Sequence, residues 1–261
     1  MTDWLALCRA AVDDVRGVLR ELPGRSEREP VVGRGMGGDE TTAIDAAAEG
    51  VILARFAGLD ATIVSEEAGV RGDGKTYVVV DPIDGSLNAK RGIGFFSVSI
   101  AVASGPTMGD VDFGFVHDFG TGEEWTATRG DGARLNGAPL EGQLPKDEIE
   151  ILSFEATRTA AVAEQAAAVV DLAYRLRIMG SLALSLCHLA AGRVDAVCSL
   201  KPARAVDIAA AQLLVRERGL AIDLFDAPPF GAAPLDLEGR SRVVAAGTPE
   251  LCRKLASALS A

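Results

Sequence analysis

The chain has 261 residues, 48% of them hydrophobic and 24% charged, with a net charge of −11. This is the balance of a globular protein of one large domain or two small ones. Lys and Arg gather into no basic stripe, which argues against a nucleic-acid partner, and no apolar run nears the ~18 residues of a membrane span.

The N-terminus, MTDWLALCRAAVDD, is amphipathic and acidic with no basic leader or cleavage site, so a cytoplasmic location is expected. Trp4, Leu5, Cys8, Ala11, Val12, Val15, Val18, Leu19 and Leu22 follow helical spacing, which predicts a helix over 3–22 ended by Pro23-Gly24. Residues 24–38 hold Gly33, Gly35, Gly37 and Gly38 and read as a connector or an active-site loop. No GK[ST] follows, so they form no P-loop. Asp39 or Thr41 is expected to cap a helix over 42–56. A strand at 61–64 ends in Ser65-Glu66-Glu67, and 71–75 is a turn.

The run Tyr77-Val78-Val79-Val80 reads as a buried strand, stopped by Pro82. The turn Asp81-Pro82-Ile83-Asp84-Gly85-Ser86 then holds two carboxylates that repel each other unless one is protonated or a cation lies between them. Asp81, Asp84 and the Ile83 carbonyl make a hard oxygen set suited to Mg²⁺ or Mn²⁺. Gly85 lets backbone approach a ligand, and Ser86 adds a hydroxyl. Taken alone, the same residues are also ordinary turn chemistry. Residues 88–92 read as a loop. Strands follow at 95–103, 111–118 and 123–128, with a hairpin turn at 119–122 and another at 134–137.

The polar stretch 141–148, with Pro145, divides a first half (1–145) from a second (146–261). The second half alternates. Strands are expected at 149–154, 175–179, 194–200, 220–224 and 241–246, and helices at 159–174, 181–191, 206–218 and 249–259. That pattern predicts an α/β layer beside an α+β first half with an antiparallel sheet. His117 and His188 are the only histidines, and His188 lies on an apolar helix. Cys8, Cys187, Cys198 and Cys252 form no CxxC pair and read as small buried hydrophobes. Neither a Ser-His-Asp triad nor a Cys-His pair can be assembled.

Carboxylates thus stand at the ends of separate elements: Asp39, Glu66, Asp81, Asp84 and Asp207. With these in place the chain resembles the lithium-sensitive, Mg²⁺-dependent phosphomonoesterases typified by inositol monophosphatase. The resemblance is carried by Asp39-x-x-Thr42-x-x-Asp45, Val64-Ser65-Glu66-Glu67, Asp81-Pro82-Ile83-Asp84-Gly85-Ser86, Gly180-Ser181-Leu182-Ala183 and Asp207-x-Ala209-Ala210. It implies a layered αβαβα sandwich, usually a homodimer. It implies that Glu66, Asp81, the Ile83 carbonyl, Asp84 and Asp207 hold two or three Mg²⁺, with Mn²⁺ as a substitute and Glu67 behind them. On the same resemblance, the first half carries most metal ligands and the second carries Asp207 and the substrate contacts. Asp39, Thr42 and Ser86 are the implied catalytic residues, Asp39 bearing on a third metal or the attacking water. Gly85, Ser86, Gly180 and Ser181 are the implied phosphate and substrate contacts.

Two departures bear on substrate. Val206 stands where the family has Trp. Leu200 stands where inositol-specific members have a Glu, and Lys201 and Arg204 follow it. Two cations there suit a second phosphate, and the short chain and DPIDGS loop resemble the archaeal-type branch that hydrolyses fructose 1,6-bisphosphate and inositol phosphate. The expectation is therefore a sugar phosphatase of that kind. The alternatives are a strict inositol monophosphatase, a 3′-phosphoadenosine 5′-phosphate phosphatase, a non-catalytic metal- or phosphate-sensing module, or an α/β domain whose acidic turns are only caps.

Overall fold

The computed structural model describes residues 2–146, 148–155, 158–226 and 229–260. Helix α1 (Trp4–Glu21) forms where its apolar spacing predicts, and the Asp3 carboxylate caps it by accepting from Ala6 N at 3.0 Å. The glycine-rich stretch beyond it has more structure than a connector. A short helix, α2 (Arg25–Arg28), leads into strands β1 (Val31–Arg34) and β2 (Glu40–Thr42), which pair as an antiparallel hairpin. Every residue of β1 is exposed, so no hydrophobic period marks it in the sequence. The hairpin tip folds back on the 66–67 backbone: Gly37 N donates to Glu66 O at 2.9 Å and Met36 N to Glu67 O at 3.0 Å. A Cβ at Gly37 would lie 2.6 Å from Arg204 Nη1 and 3.1 Å from Glu66 O, so any larger residue here would push the guanidinium aside.

Helix α3 (Ala43–Phe56) is capped by Thr42, not by Asp39 or Thr41; Asp45 completes the capping box. Then come β3 (Ala61–Ser65), β4 (Gly69–Arg71), β5 (Thr76–Asp84), α4 (Ser86–Arg91), β6 (Ser97–Ala103), β7 (Val111–Asp118), β8 (Glu124–Thr128), β9 (Gly132–Leu135) and β10 (Ala138–Pro139). They build an eight-stranded sheet in the order β10-β9-β8-β7-β6-β5-β3-β4. Only β3 and β5 in it run parallel. The 134–137 hairpin turn is present, with Asn136 at φ +52° and Gly137 at φ +80°. Two expectations are corrected. Pro82 does not end the ladder, because a bulge between Asp81 and Asp84 absorbs it and β5 runs on to Asp84. Most of the expected 88–92 loop is helix α4.

The second half contributes β11 (Ile149–Glu155), α5 (Thr159–Ala166), β12 (Ala173–Arg177), α6 (Leu182–Ala190), β13 (Ala196–Ser199), α7 (Ala205–Glu217), β14 (Ala221–Leu224), β15 (Val243–Ala246) and α8 (Pro249–Ser260). The sheet order is β12-β11-β13-β15-β14, with β11 parallel to both neighbours and the other pairs antiparallel. The helix expected over 159–174 stops at Ala166. Its alanines favour helix locally, but α5 buries no residue, and pairing with β11 draws Ala173 and Tyr174 into β12.

Three apolar clusters define the layers. Helices α1 and α3 pack on Val78, Val80, Val98 and Ile100 of the first sheet. Helices α6 and α7 lie between the sheets, against Val79, Ala101 and Ala103 on one side and Val197 and Ala245 on the other. Helix α8 covers the far face of the second sheet, with Leu255 against Leu152, Phe154 and Ala246. The architecture is the expected αβαβα sandwich. Strand β6 is buried at every residue because both of its faces are covered. Helix α7 approaches so closely that a Cβ at Gly114 of β7 would lie 2.5 Å from Ala210 O. Among the described residues no helix is long and apolar enough to cross a membrane.

Candidate active site

Strands β3 and β5 run side by side in parallel, with Ser65 opposite Val80. Glu66 and Asp81 therefore leave adjacent strand ends, and the bulge that absorbs Pro82 re-aims Asp84 beside them. Asp207 comes from the first turn of α7, as the third helical residue answering an Arg204 cap. Carboxyl ends of neighbouring parallel strands are where α/β layers place ligands. Here these elements enclose a cavity of about 300 Å³ lined by Asp39, Asp45, Glu66, Glu67, Asp81, Ile83, Asp84, Gly85, Ser86, Glu155, Gly180, Lys201, Arg204 and Asp207.

Each carboxylate is fixed by named partners. Asp84 Oδ2 accepts from Ser181 Oγ at 2.6 Å and from Ala183 N at 2.7 Å. Asp81 is buried and accepts from Ile83 N at 3.1 Å. The Arg204 guanidinium bridges Glu66 at 2.5 Å and Asp207 at 3.0 Å, while Arg204 N donates to Asp207 Oδ2 at 2.7 Å. Asp39 stands at the mouth, 3.3 Å from Lys201 Nζ and 3.8 Å from Arg204 Nη1. Ser86 Oγ donates to the Ile83 carbonyl at 2.9 Å. Glu67 accepts from the Thr41 hydroxyl. Behind them, Glu49 accepts from Ser65 Oγ and from the amides of Glu67 and Ala68 at 3.0 Å each.

The electrostatics follow from packing acids together away from water. Burial pushes the Glu66 carboxyl up to about 8; Arg204 opposes this, and Asp207 and Glu67 add to it. Burial pushes Asp84 up to about 7 against the Ser181 hydrogen bond. Asp81 is raised well above the carboxylate range by burial, with Glu66, Asp84 and Asp207 adding. Burial also works on Asp39, but Lys201, Arg204 and Arg240 outweigh it and hold its carboxyl below its ordinary value.

The donor chemistry fits a divalent metal: buried carboxylate oxygens held close against their mutual repulsion, with a hard carbonyl beside them. Asp45 Oδ1 is buried without a partner among the described residues. Among those residues no three His, Cys, Asp or Glu side chains already stand at ligand spacing. The Arg204 guanidinium sits between two of the acids, so coordination by Glu66 and Asp207 requires it to give way. Metal loading also requires protons to leave. Between a carboxyl's ordinary value of 4.5 and the folded value of about 8 for Glu66, the native chain holds a proton that the unfolded chain has released. The chain alone therefore loses stability as pH rises through that window, while affinity for a cation rises. The Mg²⁺-induced rise in Tm is expected to grow from pH 6 to 8 and level off above about 8, measured by thermal unfolding with Mg²⁺ or chelator. A rise of equal size at pH 6 and 9 would contradict this origin.

The expected site residues come together with three differences, one of which is Ser181: expected to contact substrate, it is buried, does not line the cavity and donates its hydroxyl to Asp84. Arg204 does not face an open subsite; its guanidinium is buried among carboxylates, and Lys201 alone of the expected pair stands at the mouth. Thr42 is a buried cap that bonds Asp45 Oδ2 at 2.5 Å and does not line the cavity. Three acids that do line it, Glu40, Asp45 and Glu155, are absent from the expected set. The last two had a signal. Asp45 ends the Asp39-x-x-Thr42-x-x-Asp45 spacing, and Glu155 ends the apolar strand Ile151-Leu152-Ser153-Phe154, as Glu66 and Asp81 end theirs. His188 packs edge-on against Phe95 with ring centres 5.6 Å apart, and burial pulls its basicity down. The four cysteines are buried and their thiols are raised by burial, so none is a poised nucleophile.

A family model described as the inositol monophosphatase family matches residues 5–261. The chain belongs to the inositol monophosphatase family. Membership makes it a hydrolase of the phosphatase class and implies dependence on a divalent metal. Among relatives of this family member, the fructose-1,6-bisphosphatase/inositol-1-monophosphatase of Methanothermobacter thermautotrophicus is 32% identical, over 98% of this chain and 96% of its own. The protein of the same description from Archaeoglobus fulgidus is 32% identical over 94% and 93%. Nus factor SuhB of Pasteurella multocida is 38% identical over 69% and 70%. A solved inositol monophosphatase–fructose 1,6-bisphosphatase superposes with a TM-score of 0.87 at 28% identity, covering 99% of this chain and 100% of that one.

Proposed function

We propose that the chain is a Mg²⁺-dependent phosphomonoesterase acting on a small sugar or polyol phosphate, with fructose 1,6-bisphosphate as preferred substrate and inositol 1-phosphate as a second. The observation that carries the substrate choice is Lys201, which stands at the mouth of an otherwise acidic cavity 3.3 Å from Asp39, with Arg240 adding positive charge toward the same carboxylate from beside the cavity. Lys201 is half exposed, and Arg240 holds the hairpin tip through Gly37 O at 2.5 Å. A second phosphate at this rim meets positive charge that a neutral polyol ring does not use. Leu200 in place of a carboxylate points the same way.

Glu66, Asp81, the Ile83 carbonyl, Asp84 and Asp207 are the residues that would hold two or three Mg²⁺, with Glu67 supporting them. Bound there, the ions neutralise the phosphate dianion and lower the pKa of water, in a reaction whose uncatalysed rate enzymes raise by as much as ~10²¹-fold. The chain's own groups then do the positioning. Ser86, whose proton goes to the Ile83 carbonyl, keeps lone pairs to orient water. Asp39 accepts from that water at the mouth, Thr42 keeps Asp45 in place, and the Gly85 and Ser86 backbone and the 180–181 turn seat the phosphate and the substrate. The first half thus carries most of the metal ligands, and the second carries Asp207 and the substrate contacts. On this reading the protein acts in carbohydrate metabolism, in gluconeogenesis, as a cytoplasmic homodimer without a nucleic-acid or membrane partner.

Phosphate release with Mg²⁺ and an EDTA control tests this on fructose 1,6-bisphosphate, inositol 1-phosphate and 3′-phosphoadenosine 5′-phosphate. EDTA-sensitive turnover is expected, fastest on the bisphosphate, with Lys201→Ala raising KM for the bisphosphate more than for inositol 1-phosphate. Faster release from either of the other two esters would refute the substrate choice. No release from any ester would turn the reading toward the sensing module.

A further inference from the structure

The turn that carries Ser181 is held from both halves of the chain. On one side, Asn88 Nδ2 donates to Met179 O and Phe95 O at 2.8 Å each. On the other, the Glu155 carboxylate accepts from Gly180 N at 2.8 Å and from Met179 N at 3.3 Å. Gly180 sits at φ +88°, and a Cβ there would lie 3.0 Å from Asn88 Nδ2. The turn also covers Gly85, where a Cβ would meet Gly180 O at 3.0 Å. Glu155 is buried at the end of β11, and two hydroxyls fix it in turn: Ser153 Oγ at 2.9 Å and Ser185 Oγ at 2.8 Å. The turn it orders presents Ser181 Oγ and Ala183 N to a single oxygen, Oδ2 of Asp84. A carboxylate held that way has one oxygen committed to the protein and the other left for a ligand in the cavity that Asp84 lines.

We infer that Glu155 is a positioning residue for the metal site, acting through the Met179-Gly180-Ser181 turn to set the orientation of Asp84. The inference rests on the reading of Asp84 as a metal ligand. A charged acceptor matters here because two backbone amides converge on Glu155, and a buried amide without an acceptor is costly. Outer partners of this kind change metal affinity by about 10–100-fold when removed. Glu155→Gln keeps the size but turns a donor toward one of the four groups that now donate to the carboxylate, so the turn loosens while the core keeps its volume.

The test is Mn²⁺ binding to the purified full chain, titrated by calorimetry alongside unfolding temperature, for wild type, Glu155→Gln, Ser185→Ala, Asp84→Asn and the distant core variant Leu255→Ala. The expected result is Mn²⁺ affinity about 10–100-fold weaker in Glu155→Gln. A smaller loss in the same direction is expected in Ser185→Ala. Leu255→Ala should lose Tm without losing affinity. In turnover, Glu155→Gln should recover part of its kcat at high Mg²⁺ while KM for the ester changes little. A lowered Tm with wild-type Mn²⁺ affinity in Glu155→Gln would reduce Glu155 to a packing role and overturn the inference; should that variant not fold, unchanged affinity in Ser185→Ala does the same. Wild type that binds no Mn²⁺, or Asp84→Asn that binds it normally, would instead bring down the metal reading and the inference with it.

Discussion

Asp84→Asn is expected to lower turnover by about 10²–10³-fold or more while leaving the fold intact. Both halves of this result follow from the proposed role of Asp84 as a metal ligand. One Asp84 oxygen is taken by the Ser181 hydroxyl and the Ala183 amide, so the other is the atom available to a cation. An asparagine must either face a donor with its own NH₂ or present that NH₂ to the metal, and it carries no charge in either orientation. Stability behaves differently. Burial, with Asp207 adding, raises Asp84 to about 7, so above that pH the wild-type chain in chelator carries a buried negative charge among like charges. Removing that charge relieves repulsion, and at pH 8 in EDTA the variant should melt no lower than wild type. What it loses is the response to metal: Mg²⁺ at 100 times its Kd adds about 2.7 kcal/mol to wild type. At roughly 2–4 °C per kcal/mol, that is a Tm rise of about 5–11 °C that Asp84→Asn lacks. Circular dichroism, melting with and without Mg²⁺, and phosphate release check the three parts separately. A variant that keeps wild-type turnover and Mg²⁺ response would return the acidic turns to simple capping.

Arg204→Met is expected to be the most destabilising single change at the site. The guanidinium is buried and is the cation that bridges Glu66 and Asp207. Removing one partner of a buried ion cluster costs about 3–5 kcal/mol because the remaining charges are left without compensation. That is a fall of roughly 6–20 °C in Tm for a chain of this size. The fall should depend on pH in a defined direction. Glu66 in the folded chain holds its proton up to about pH 8, so at pH 6 the loss of Arg204 leaves no Glu66 charge uncompensated, and at pH 9 that charge adds its repulsion. Mg²⁺ should restore much of the loss at pH 9, because a divalent ion compensates the same oxygens. It should also bind more tightly than in wild type, since it no longer displaces a guanidinium. Thermal melts at pH 6 and 9 with Mg²⁺ or EDTA decide the matter: an equal loss at both pH values with no rescue by Mg²⁺ would mean that Arg204 acts only by packing and by capping α7.

How much of this was legible in the sequence depends on the range of the interaction concerned. Period and turn chemistry are local, so α1, β3, the alternation of the second half and the Asn136-Gly137 turn could be read directly from neighbouring residues. Strand ends carrying acids are local too, and Glu66, Asp81 and Asp84 were visible as candidates for that reason. Where a local signal was weak or outvoted, the reading failed. Strand β1 is exposed throughout and has no apolar period. The alanines of 159–174 favour helix, yet pairing with β11 takes the end of that run. Pro82 reads as a strand stop but is accommodated by a bulge, which the neighbouring strand β6 makes tolerable.

By itself, then, the periodicity of the sequence determined an α+β half with an antiparallel sheet beside an α/β half, the resemblance supplied their αβαβα layering, and the strand-end acids determined the acidic, oxygen-donor character of the site. The tertiary structure alone decided which charges meet. Arg204 looks in sequence like a basic residue free for a second phosphate, but the start of α7 drives its guanidinium between Glu66 and Asp207, acids from distant parts of the chain. Glu155 looks like the polar end of a strand, and only the closure of the second half on the first sets it behind Gly180 and, through Ser181, behind Asp84. These are long-range electrostatic choices. They depend on how two sheets and the helices between them pack, and no window of neighbouring residues contains that information.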